Sequence, residues 1–239
     1  MLIITDRRIP DPAKLSLAKY GEVIEFHSEG ITYDAISGHP DIFFCQSPAG
    51  LVVAPNTPPH FIGLLTRYNL EFTFGSSYVG ASYPGSARYN ALITENYLFH
   101  HLSTTDPEIL ALFSQSSPTS NAAENKKIKI NLNQGYTNCN LQHLGNKAFL
   151  TTDRGIWNKL TSIPLKTTLV SPSGIILPGM KYGFIGGCCG LVDQTLFILG
   201  KLQYHQDGEL IRLAAEEQGL TITELYNGPL FDGGGILFI

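Results

Sequence analysis

The sequence predicts an α/β fold, a five-fold pseudosymmetric α/β propeller in which five strand–helix units are closed by pairing of the N- and C-terminal strands. Three observations predict it. A polar, Gly-rich stretch followed by an apolar strand recurs along the chain, and a helix-start signal follows each such strand. The first closing-strand positions, Leu2, Leu51, Tyr97, Ala148 and Leu196, recur about every 48 residues, a period of the kind that marks repeat architectures. The path from Leu196 through Ile239 back to Leu2 has a similar length, so the last unit, which lacks a closing strand, borrows the N-terminal one. Closure of this kind removes exposed sheet edges. The expectation is a single domain over residues 1–239.

The chain of 239 residues is 43% hydrophobic and only 15% charged, with 24 Gly and 14 Pro, a composition of short elements and tight turns. The net charge of −4 argues against nucleic acid and leaves cationic ligands open. No run approaches the ~20 apolar residues of a membrane span, and Asp6-Arg7-Arg8 follows the apolar start too soon for a secretory leader. Cys45, Cys139, Cys188 and Cys189 have neither disulfide-framework nor zinc-ligand spacing, which reads as reduced thiols, a bacterial cytoplasm, no metal and no cofactor.

In order, Leu2–Thr5 reads as a strand, and Asp11-Pro12 starts a helix with Asp11 as its cap. Val23–Phe26 is the next strand. Ser37-Gly38-His39-Pro40-Asp41 leads into Ile42–Cys45, with His39 and Asp41 on one face at the mouth of a strand. Leu51–Ala54 closes that unit. Thr57-Pro58-Pro59 opens a helix to about Tyr68, and Leu70–Phe74 is a strand. Pro84–Tyr89 stands in the signature position before Tyr97–Phe99, Asp106-Pro107 opens a third helix, and Ile128–Leu132 follows. Gly135–Asn140 precedes Ala148–Thr151, with Asp153-Arg154 leading into a helix and then Thr167–Val170. Gly186-Gly187-Cys188-Cys189-Gly190 precedes Leu196–Ile198, and Asp207 opens a helix whose Leu210, Ile211, Leu213 and Ala214 are expected to form its apolar face. Thr221–Leu225 alternates, and Asp232-Gly233-Gly234-Gly235 precedes the final apolar residues. The polar stretch 114–127 reads as a loop, and His100, His101 and His143 read as surface residues.

The residues alone leave their chemistry open. Cys139 fits a small buried hydrophobe as well as a nucleophile. His39 fits a turn residue before Pro40 as well as an acid/base group. Asp41 can satisfy turn donors, and the Gly233–Gly235 run suits close backbone packing. Cys188 and Cys189, between glycines, are the alternative nucleophiles. Arg88, in the second signature, suits a carboxylate-bearing ligand.

Gly38-His39-Pro40-Asp41, followed by Gly50-Leu51-Val52-Val53-Ala54-Pro55, is similar to the Gly-His-x-Asp, strand, turn, strand element of the pentein superfamily, the guanidino-group modifying enzymes. Gly186-Gly187 through Phe197 resembles that superfamily's Gly-Gly-Asn signature. The superfamily includes arginine and agmatine deiminases, dimethylarginine hydrolases and amidinotransferases; a eukaryotic ribosome anti-association factor shares the fold without the chemistry. The resemblance implies Cys139, two units after His39, as nucleophile, His39 as general acid/base, and Asp41 and Asp232 as ligands of a cationic group. The sequence departs at Ile185, where the superfamily has an acidic residue before Gly-Gly, and Asp232 is the carboxylate nearest in pattern to replace it. Two readings follow. One is a deiminase-type hydrolase acting on a small guanidino or arginine-like cation. The other is a non-catalytic pentein-like protein that binds a metabolite or a macromolecular partner.

Overall fold

The computed structural model describes residues 1–115 and 127–239. Most of the loop expected over 114–127 lies outside them. The described residues form two compact units, one of Met1–His27, Asp34–Pro40 and Asn138–Ile239, the other of Ser28–Tyr33 and Asp41–Thr137.

The first unit holds three three-stranded sheets of one design. An antiparallel pair is followed by a helix and a third strand parallel to the middle one. Leu141–His143 pairs with Ala148–Thr151, helix Arg154–Thr161 crosses over, and Lys166–Leu169 adds in parallel. Cys189–Val192, Thr195–Ile198, helix Gly208–Glu216 and Thr221–Glu224 repeat the order. The remaining sheet takes its strands from both ends of the chain. Leu2–Asp6 lies between parallel Glu22–Phe26 and antiparallel Leu237–Phe238, with Ile3 opposite Phe238 and Ile4 opposite Leu237. Leu2 N donates to Ile239 O (2.7 Å) and Ile239 N to Leu2 O (2.9 Å). The expected pairing of terminal strands is therefore present. A short parallel pair, Ile175–Ile176 with Leu230–Phe231, leads into the Gly-rich segment.

The second unit holds two sheets of the same design: Phe44–Ser47, Gly50–Val53 and Phe72–Phe74 around helix Pro59–Arg67, and Leu92–Ile93, Tyr97–His100 and Ile128–Asn131 around helix Pro107–Ser114.

The repeat is visible in what each element buries. The middle strands are apolar and sunk on both faces, as in Leu2–Asp6 and Ala148–Thr151, because helices or neighbouring sheets cover them. The third strands are half exposed. Each crossover helix buries one i, i+4 pair: Ala13 and Leu17, Phe61 and Leu65, Ile109 and Phe113, Ile156 and Leu160, Ile211 and Ala215. Each fully buried large member of these pairs stabilises by about 1.5–3 kcal/mol.

Several local expectations are corrected. His39 and Asp41 are not on a strand; 3-10 turns Asp34–Ile36 and Pro40–Ile42 flank and hold them, and the strand begins at Phe44. Pro40 favours this turn because its fixed φ suits it. The first helix is capped at Pro10, with Asp11 already inside it. Leu210 and Leu213 are 44% and 50% exposed, and the last helix buries Ile211, Ala214 and Ala215 instead. At 100° per residue those three share a face that positions 210 and 213 do not. His100 is fully buried rather than on the surface, held by Thr105 Oγ1 and Gly135 O at 2.7 Å each.

Candidate active site

In the first unit, buried carboxylates and a cysteine lie close to His39. The side chain is 1% exposed, and neither ring nitrogen has a hydrogen-bond partner among the described residues. Its Nε2 lies 3.9 Å from Asp6 Oδ2 and 3.8 Å from Asp232 Oδ1. A His39 ring nitrogen and the Cys139 sulfur lie within 4.8 Å of each other. Buried polar groups without partners are costly in a fold, and they are retained where they serve a ligand or a reaction.

Each member is placed by a different local device. Asp6 ends the N-terminal strand and is fully buried; its carboxylate fills the space that a Cβ on Gly38 would need. Gly38 thus lets the turn before His39 press onto Asp6. His39 N donates to Ile36 O at 3.0 Å, closing that turn. Cys139 sits in the helical turn Thr137–Asn140, against Gly186, where a Cβ would come within 2.7 Å of Cys139 O. Asp232 is fixed by Phe184 N to Oδ2 (2.8 Å) and Gly234 N to Oδ1 (3.1 Å). Its backbone partners are as specific. Asp232 N donates to Ile176 O (2.8 Å), while Gly233 N and Gly235 N both donate to Gly187 O (2.9 Å each). Gly234 has φ +67°, and a Cβ there would lie 2.5 Å from His39 Cγ. Glycine is required on both counts, the left-handed backbone and the close approach to the ring.

The departure at Ile185 has a structural counterpart. Ile185 is fully buried and belongs to the apolar cluster that includes Leu150, Ile198 and Leu230. The carboxylate beside Gly186-Gly187 belongs to Asp232 instead: a Cβ on Gly187 would lie 2.5 Å from Asp232 Cγ.

The electrostatics separate the groups. Burial holds the His39 imidazole below the usual histidine range, Asp232 and Asp6 pull it upward, and Arg8 adds to the lowering. His39 is therefore neutral at pH 7 and able to take a proton. Burial pushes the Cys189 thiol up to about 12 and Cys188 well above the ordinary range, with Asp232 reinforcing both. Cys188 donates to Phe184 O at 3.3 Å. Both belong to the apolar core, an environment that opposes thiolate formation.

The structure brings His39, Cys139 and Asp232 into one unit, together with Asp6. Asp41 and Arg88 belong to the other unit. There Asp41 is 1% exposed and its backbone carbonyl accepts from Asn90 Nδ2 at 3.3 Å. Arg88 follows the 3-10 turn Gly85–Ala87, and its Nε is buried without a hydrogen-bond partner among the described residues. Asp6 and Arg8 are the residues that sequence reasoning missed. The usable signal was an acidic residue at the end of a largely apolar, fully buried strand with an arginine two places on.

The model of a family of unknown function, DUF6873, matches residues 4–237, and the chain belongs to that family. No curated protein matches the sequence. Among solved structures, SxtG, an amidinotransferase from Microseira wollei in the saxitoxin biosynthetic pathway, is similar with a TM-score of 0.48 and 10% identity, over 93% of this chain and 87% of that one. Likeness at that level carries no argument about chemistry. No helix among the described residues is long and apolar enough to cross a membrane.

Proposed function

We propose that this member of DUF6873 is a pentein-like amidino-group hydrolase of the deiminase type, its five units arranged as a closed α/β propeller in a single domain. Its substrate would be a small guanidino or arginine-like cation. The observation that carries the reading is the buried His39, its ring nitrogens without a hydrogen-bond partner among the described residues, within 4.8 Å of the Cys139 sulfur and flanked by two carboxylates.

The chemistry follows from those groups. A bound cation beside Cys139 favours its thiolate, and neutral His39 takes the proton. The sulfur attacks the guanidinium carbon and a C–S bond forms. His39 returns the proton to one nitrogen, the C–N bond breaks and ammonia leaves. Water, giving its proton to His39, then attacks the same carbon; the C–S bond breaks and a ureido product departs. Asp232 holds the planar cation, with Asp41 as a further ligand, and Arg88 pairs with a carboxylate on the substrate. Cys188 and Cys189 remain the alternative nucleophiles.

The test is iodoacetamide labelling of the folded chain at pH 6 and pH 8.5 with each cysteine mapped by mass spectrometry, and an ammonia-release screen over guanidines. Ammonia release abolished in Cys139→Ala and in His39→Gln supports the reading. Labelling confined to Cys188 or Cys189 overturns the assignment of Cys139. No turnover of any guanidine, with a guanidine still bound, favours the non-catalytic binding protein, for which this sequence's departure from the superfamily at Ile185 speaks.

A further inference from the structure

We propose that Arg8 is a positioning residue for His39: one guanidinium ties the Asp6 carboxylate to the turn that carries the imidazole and takes up the charge of one of the two carboxylates facing the ring. Arg8 Nε donates to Asp6 Oδ1 at 2.9 Å and Oδ2 at 3.1 Å, and Nη2 meets Oδ2 at 2.5 Å. The backbone N of Arg8 donates to Oδ1 at 2.7 Å. The rest of the fork points elsewhere: Nη1 donates to Asp34 O at 2.7 Å and Nη2 to Ala35 O at 2.9 Å. Those carbonyls belong to the turn whose next residue, Ile36, accepts from His39 N. A single side chain therefore links the end of the first strand to the segment Asp34–Pro40, which is remote from it in sequence. Only a planar group with five fixed donors can span a carboxylate and two carbonyls at once; lysine cannot.

The charge arrangement gives the link a second effect. Within this unit the titratable and charged groups around the ring are Asp6 from the first strand, Asp232 from the Gly-rich segment, Cys139 from its helical turn, and Arg8 behind Asp6. Two uncompensated carboxylates within 4 Å of a buried imidazole would hold a proton on it. Arg8 neutralises one of them. The inference holds for a binding site as well as for a catalytic one, so it does not stand or fall with the hydrolase reading.

The test follows the His39 ring titration by long-range proton–nitrogen NMR on the full chain, with the signal assigned by its loss in His39→Gln. Arg8→Gln is expected to raise the midpoint by about one pH unit, because Asp6 is left uncompensated. Asp6→Asn is expected to lower it, because a carboxylate is removed while the Arg8 charge remains. Arg8→Lys, which keeps charge but not the fork, should fall between wild type and Arg8→Gln. If Arg8 only braced the turn, both Arg8→Gln and Asp6→Asn would loosen it, expose the ring and move the midpoint upward together. A midpoint that rises in Asp6→Asn, or that stays fixed in both variants, overturns the proposal. Should Arg8→Gln fail to fold, the direction in Asp6→Asn decides alone.

Discussion

Replacing Gly187 by alanine should be among the most damaging single-methyl changes in this protein. The added Cβ would lie 2.5 Å from Asp232 Cγ and 3.0 Å from Oδ2, with Oδ1 closer still. The backbone cannot retreat, since Gly187 O accepts from both Gly233 N and Gly235 N at 2.9 Å. Asp232 must turn away instead, leaving Phe184 N and Gly234 N. Each hydrogen bond to a charged group contributes about 1.5–3 kcal/mol, so losing both costs about 3–6 kcal/mol. That is a large share of the ~5–15 kcal/mol by which a typical domain is stable. The assay is urea unfolding of the folded variant against wild type, comparing midpoints at constant slope. Gly63→Ala is the internal control: it lies in helix Pro59–Arg67 with nothing within 4 Å of the new Cβ. It should be neutral or stabilise by up to ~1 kcal/mol. A loss below about 1 kcal/mol in Gly187→Ala, with the slope unchanged, would refute the claim that Asp232 is locked against that glycine.

Other outcomes follow from the same buried groups. His100 is held down to about 4 by burial, against the unfolded value near 6.5. The unfolded chain binds the extra proton in that window, so stability falls as pH drops from about 6.5 towards 4, by about 3 kcal/mol for this group. His39 acts in the same direction. Urea midpoints measured across that range should show the slope, and His100→Gln, which can still donate to Gly135 O, should flatten it. Asp106 caps helix Pro107–Ser114 through Glu108 N (3.0 Å) and also accepts from Ser76 N (3.1 Å), Ser77 N (2.8 Å) and the Tyr89 hydroxyl (3.2 Å). Asp106→Ala should therefore cost about 3–5 kcal/mol, well beyond a simple cap, while Asp153→Ala at the cap of Arg154–Thr161 should cost ~1 kcal/mol by thermal unfolding.

The repeat was legible in the sequence because apolar runs and helix starts are short-range signals. Leu51, Tyr97 and Ala148 each begin the parallel pairing of a middle strand with its third strand, and that pairing begins one residue early in the last repeat, at Thr195. The pairing of Leu2–Asp6 with Leu237–Phe238 could be inferred only because two incomplete repeats stood at opposite ends. The candidate site was legible in part. His39 and Asp232 were marked by glycines beside them, Gly38 and Gly233, and those glycines prove to be contact positions. Asp6 escaped notice because its one local signal, an arginine two places on, does not tell a buried acidic residue at a strand end from an exposed one; its partner atoms come from Arg8 and its neighbour from Gly38. The strand placement of His39 and Asp41 failed because Pro40 shapes a turn, and a two-residue period has meaning only in an extended strand.

The pairing of Leu2–Asp6 with Leu237–Phe238 also has a meaning in time. On the ribosome Leu2–Asp6 waits until residues 7–236 are made before its antiparallel neighbour emerges, and that edge is open to wrong partners throughout. Asp232 emerges just before that neighbour, so the carboxylate opposite His39 arrives with it. The nascent protein thus carries His39 long before the group that faces it.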